Sequence, residues 1–214
     1  MTRVWLLVLG VFAVVIFATT LLVVIPNTMI AAVRPAPQLS PYTAQQARGR
    51  EVYIEQGCVY CHSQQVRDPV YTSDKDRGWG PRATVPADYV NDKPHLLGTM
   101  RTGPDLINIG ARQPSELWHH VHLYQPRAYM PWSIMPAFPY LYEVKDAASV
   151  PAGVTAYEVP GGRLPKGKVI VPTADAEALV AYLVSLKRTY PVPTDSVAGD
   201  RSVGGRSEHT MPLP

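Results

Sequence analysis

The sequence predicts an all-α protein: a single N-terminal transmembrane helix followed by a helical domain with long loops. Three observations predict it. An apolar run from Val4 to Ile25 carries no charge, no Asn and no Gln. Two stretches with helical signals, one after Thr43 and one after Thr173, flank the middle of the chain. Prolines number 22 among 214 residues, so much of the remainder must be loop. A net charge of +3 and a mean hydropathy near zero suit one modest globular domain plus an apolar segment, and no nucleic-acid partner is expected.

The apolar run comes first. At about 1.5 Å per residue it reaches roughly 33 Å, enough for a bilayer's hydrocarbon core, and Pro26 and Asn27 are expected to end it. Ala31-Ala32 offers small residues for cleavage, yet the run exceeds the usual h-region of about 7–15 residues, so residues 1–30 read as a retained transmembrane signal anchor. Arg3 precedes the span and Arg34 is the first charge after it, a weak bias toward a cytoplasmic N-terminus. Residues 31–42, with Pro35, Pro37 and Pro41, read as a stiff extended linker that lifts the domain off the bilayer. Thr43 then caps a helix through Gln45, Gly49, Tyr53 and Glu55, which Gly57 stops.

That helix runs into Cys58-Val59-Tyr60-Cys61-His62, a Cys-x-x-Cys-His run of the kind that carries covalent haem. Thiols three residues apart reach the two vinyl groups of one porphyrin from a single turn, and the adjacent histidine is delivered beneath the iron. The rivals are zinc, a redox dithiol and a structural disulfide. Zinc needs about four ligands, and Cys58 and Cys61 are the only cysteines. A redox dithiol wants a βαβ context, which is not legible here. One covalent haem c also supplies volume to a domain of about 180 residues with few apolar side chains to spare. Thioether attachment occurs on the outer side of the bacterial inner membrane, which puts the haem domain in the periplasm and agrees with the charge bias.

Ser63 to Leu97 is polar and rich in charge and proline. Ser115 caps a short helix to Leu123 that holds Trp118, His119, His120 and His122. No cysteine or carboxylate pattern accompanies these histidines, so helix surface or interface is favoured over a metal site. Val144 to Pro172 reads as an inserted Gly/Pro-rich segment. Thr173 or Asp175 caps a last helix with Ala176, Leu179, Val180, Leu183 and Leu186 at helical spacing, ending at Lys187-Arg188. This gives a domain over residues 43–188 and an irregular tail over 189–214.

Gly49 and Tyr53 in the first domain helix, with Leu179 and Tyr182 in the last, resemble the helix crossing of class I cytochromes c, where a glycine lets the helices approach. Gly103-Pro104-Asp105-Leu106 resembles that family's Gly-Pro-x-Leu turn, which implies that the Pro104 carbonyl orients His62 as a cofactor-binding partner. An electron-transfer haem wants a second axial ligand, and a thioether opposite histidine raises the potential. Met1 and Met29 belong to the membrane segment, Met100 to the proximal side and Met211 to the tail, leaving Met130 and Met135. Met135 is favoured for its apolar, aromatic surroundings from Ser133 to Leu141, so the expected metal ligands are His62 and Met135. Met130 and His122 remain alternatives.

The wider pattern is closer still. His62-Ser63-Gln64-Gln65-Val66-Arg67, Arg101 to Leu106, Trp118 to Arg127 and Met135 to Pro139, in that order after the anchor, resemble the mono-haem subunit II of cbb3-type cytochrome c oxidases. The resemblance implies a subunit with no bond chemistry of its own. It would take electrons from a soluble cytochrome c or a di-haem cytochrome c subunit and pass them to the haem b and copper catalytic subunit, with lipid around its anchor. It also implies a calcium ion at the subunit junction, near Gly98-Thr99, where the ligand set is sparse. Three other roles share part of the pattern: the small subunit of a nitric oxide reductase, a free membrane-tethered shuttle and a gas-binding sensor.

Overall fold

The computed structural model describes residues 2–31, 33–98 and 100–192. The expectations placed on Ala32, Thr99, Met211 and most of the 189–214 tail fall outside them. The chain opens with α1 (Thr2–Thr19), a π-helical turn (Thr20–Val24) and α2 (Ile25–Ala31). Arg3–Met29 is one helix long and apolar enough to cross a membrane, and none of its most apolar window is buried by the rest of the chain. Pro26 does not end it. The widened turn, in which Ile25 N–H donates to Thr20 O, lies where the proline ring would otherwise meet the preceding carbonyl, so the helix continues to Ala31.

The linker also departs from expectation. Ala36 and Leu39 are buried, Leu39 N–H donates to Ala36 O at 2.9 Å, and Asn91 Nδ2 donates to Ser40 O at 3.2 Å. The segment turns at Pro37 and Gln38, and the Tyr42 hydroxyl at its end donates to Asp92 Oδ1 at 2.8 Å. It is therefore docked on the domain and does not hang free.

The core forms where α3 (Ala44–Glu55) crosses α6 (Ala174–Ser185). Thr43 and Gln46 cap α3 reciprocally, hydroxyl to Gln46 N–H at 3.2 Å and amide oxygen to Thr43 N–H at 3.0 Å. Thr173, not Asp175, caps α6; Asp175 instead takes Arg48 at 2.9 Å across the helix pair. At the crossing a Cβ on Gly49 would stand 1.8 Å from Ala178 O, so only glycine fits. Tyr53 and Tyr182 meet edge to face at 5.7 Å across this crossing.

Two short helices follow the long loop, α4 (Ile109–Arg112) and α5 (Glu116–Tyr124), the latter capped by Ser115. The loop itself is tied down: Val66, Trp79 and Tyr89 bury against Ile107 in a second small cluster. The chain is mostly helical, with one departure from the all-α expectation. Strands β1 (Tyr142–Asp146) and β2 (Lys168–Pro172) pair antiparallel, Val144 opposite Ile170, and Tyr157 bridges to Ile170 from the other side. The β-branched run Val169-Ile170-Val171 is buried against the core, so the 144–172 segment is built around a strand that delivers Thr173 to the start of α6.

Candidate functional site

The end of α3 shapes the motif. Gly57 adopts a left-handed conformation at φ 70°, and the chain drops into one 3₁₀ turn over Cys58–Tyr60. Cys61 and His62 N–H groups both donate to Cys58 O, at 3.2 and 3.0 Å, which puts the two thiols at the ends of one turn with His62 next to it. The thiols are not bonded to each other, Cys58 half-buried and Cys61 exposed. Burial pushes the Cys58 thiol up to about 12, the opposite of the lowered value a redox dithiol uses.

A second segment runs alongside. Gly103 N–H donates to Cys61 O and Leu106 N–H to Ser63 O, each at 2.9 Å. Between these two bonds His62 Nδ1 donates to Pro104 O at 2.7 Å. Because a carbonyl only accepts, this bond places the ring proton on Nδ1 and leaves the lone pair on Nε2. Burial holds the imidazole below its usual range. A Cβ on residue 103 would lie 2.2 Å from His62 Cε1, so Gly103 leaves room for the ring. From the core, Tyr53 Oη donates to His62 O at 3.4 Å, and Tyr182 Oη donates to Gln64 Oε1 at 3.0 Å.

Cys58, Cys61, His62 and Pro104 all open onto one cleft of about 380 Å³, within the roughly 300–1,000 Å³ range of ligand pockets. Leu179 and Leu183 of α6 back it, and Phe138, Met130 and Met135 line it. Both methionines are thus brought to the cleft; Met135 packs against the core, whereas Met130 is 41% exposed. The cleft fits a haem. It has two thiols on one wall, an imidazole nitrogen with a free lone pair, thioether sulfurs and a largely apolar lining.

The histidines of α5 are not on a free surface. His119 Nε2 donates to Gln113 O at 2.9 Å, and His120 is fully buried, stacked on Tyr157 at 4.7 Å and 3.2 Å from the Tyr142 hydroxyl. His122 lines the cleft, stacked on Trp118 at 4.4 Å, with its Nδ1 buried and unpartnered. Burial pushes His120 and His122 down to about 4. Among the described residues no group of three or more His, Cys, Asp or Glu is arranged to hold a metal ion. Sequence reasoning missed the roles of Ser63 and Asp105, whose side chains join at 2.6 Å beneath the motif; their separation by 42 positions gives no periodic signal.

Among the described residues, a long apolar helix and a helical domain that turns a Cys-x-x-Cys-His run toward an apolar cleft define a class of protein: a chain with a candidate membrane anchor and a candidate prosthetic-group site. Residues 1–161 match the family model described as cytochrome c oxidase, mono-heme subunit/FixO. The chain belongs to that family, which implies one haem and a place beside a catalytic subunit in a cytochrome c oxidase complex. No curated protein matches the chain.

Proposed function

We propose that the chain is the electron-transfer subunit of a cbb3-type terminal oxidase, with residues 43–188 folded as a class I cytochrome c domain. In this reading Cys58 and Cys61 would hold one haem c through thioether bonds, and His62 and Met135 would supply the protein ligands to its iron. It receives electrons from a soluble cytochrome c or a di-haem subunit and passes them to the haem–copper catalytic subunit. The anchor, residues 1–30, sits in the bacterial inner membrane with its N-terminus cytoplasmic and the domain periplasmic.

The observation that carries the reading is the His62–Pro104 bond at 2.7 Å beside two thiols on one turn. Haem bound there supplies a one-electron iron couple. Pro104 fixes the ring and keeps Nε2 a good donor. Met135, held by its N–H bond to Ser133 Oγ at 3.2 Å, lines the same cleft with Phe138. Met135 is preferred to Met130 because the core pins it. His122 is the second reading for the distal ligand, favoured by its place in the cleft and its unpartnered nitrogen.

Mass measurement on the chain after denaturation and acid–organic extraction tests the attachment: one retained haem supports it and the bare mass of 23.5 kDa overturns it. Met135→Ala tests the distal ligand. The thioether-to-iron charge-transfer band is expected to vanish with haem still attached, and an unchanged spectrum moves the ligand to Met130 or His122.

A further inference from the structure

We propose that Asp105, Ser63 and Arg101 form a charged clamp that positions His62 against Pro104 and sets how strongly that imidazole donates. The inference rests on the haem reading and assigns these three as positioning residues within it.

The geometry is local. Ser63 follows His62 and Asp105 follows Pro104, so the Ser63 Oγ–Asp105 Oδ2 bond at 2.6 Å lies one residue beyond the His62–Pro104 bond on each segment. The hydroxyl–carboxylate bond therefore adds to the Gly103–Cys61 and Leu106–Ser63 backbone bonds in setting the distance between ring and carbonyl. The carboxylate is itself immobile, since Oδ2 also accepts from Gln65 N–H at 2.7 Å and Oδ1 from Ile107 N–H at 2.9 Å. Arg101 completes the clamp: Nε donates to Ser63 Oγ at 2.8 Å, Nη2 donates to Gln65 O and lies 3.8 Å from Asp105 Oδ2, and Nη1 pairs with Asp74. Its guanidinium lies 5.0 Å from the Trp79 ring centroid. Ser63 and Asp105 are fully buried.

Stability alone is a poor reason for this arrangement. Replacing a buried ion pair by apolar groups of like volume is often neutral or stabilising. A carboxylate fixed one residue from the carbonyl that holds the imidazole proton acts on the ring's electron density as well as its position. The oxidised site carries one more positive charge than the reduced site, so a nearby negative charge favours the oxidised form and a nearby positive charge the reduced form.

The test is spectroelectrochemical titration of the full-length chain in its complex, as parent, Asp105→Asn, Asp105→Glu and Arg101→Gln. The expected result is a potential raised by Asp105→Asn, returned toward the parent by Asp105→Glu, and lowered by Arg101→Gln. A merely structural role loosens the site in every variant and shifts all three potentials the same way; that result, or no shift, overturns the proposal. If one variant fails to accumulate, the sign of the others still decides. Haem mass on the parent sample separates the two failures, because a parent without haem overturns the haem reading and not the clamp.

Discussion

At His62 the room for error is small, because the ring sits between a carbonyl at 2.7 Å and a backbone that admits no Cβ. Gly103→Ala should drive the ring off Pro104; the overpacking strain is about 1–3 kcal/mol, and the measurable result is a reduced haem-to-protein ratio with a perturbed spectrum. His120 offers a different prediction, one of pH. Held neutral by burial, it takes a proton only near pH 4, whereas the unfolded chain takes one near 6.5. The folded value is depressed, so stability present above pH 6.5 is lost as pH falls toward 4, by on the order of 3 kcal/mol in full. Denaturant midpoints at pH 7 and pH 5 should diverge in the parent and diverge less in His120→Asn, the remaining difference coming from His122, which burial also pushes down to about 4. The comparison reads His120 together with Glu177, whose carboxylate lies 3.7 Å from His120 Nε2. The contiguous Cys58–His62 run was legible because its chemistry is written in adjacent residues. The α5 histidines were misread because three imidazoles on nine residues face three environments, and only the neighbours say which.

Among the elements, the α3–α6 crossing is the most constrained. The atom nearest a Cβ at position 49 is the backbone oxygen of Ala178, inside α6, which cannot swing aside as a side chain would. Gly49→Ala should therefore cost roughly 3 kcal/mol, the upper end of the range for overpacking, seen as a lowered denaturation midpoint. Thr43→Ala, which removes one half of a reciprocal cap at an exposed end, should cost only about 1 kcal/mol. Helices α3, α5 and α6 could be read from the sequence because caps and spacing are local signals, whereas the single turn of α4 carries no such signal and was missed. The strands could not, since five residues of Lys168–Pro172 become a strand only when Tyr142–Asp146, more than twenty positions earlier, lies beside them. The π-helical turn was equally hidden; proline announces a break, and nothing local announces that a widened turn absorbs it.

For the molecule as a whole, the question is what holds the linker, the long loop and the end of α6 together, and the structure gives Arg188 that role. It is a buried cation: its Nη2 donates to Tyr42 Oη at 3.2 Å, its Nε to Asp88 O at 3.1 Å, and its own N–H to Asn108 Oδ1 at 2.7 Å. Tyr42 in turn donates to Asp92 Oδ1 at 2.8 Å, and Asp88 binds Arg82 through both oxygens at 2.8 Å. Linker, loop and helix end thus meet at one guanidinium. Arg188→Ala keeps its backbone bond to Asn108 but takes a donor from the Tyr42 hydroxyl and from the Asp88 carbonyl, and each buried acceptor left short costs about 1–3 kcal/mol. The loss should be uneven. Because residues 35–42 lie on the domain through contacts that lead back to Arg188, limited proteolysis should cut the linker and the 63–97 loop faster in the variant, while α3 and α6 stay protected by their own crossing. A free tether would be cut at the same rate in both proteins. Equal rates would mean that the buried Ala36 and Leu39 alone, not the arginine, keep the linker in place.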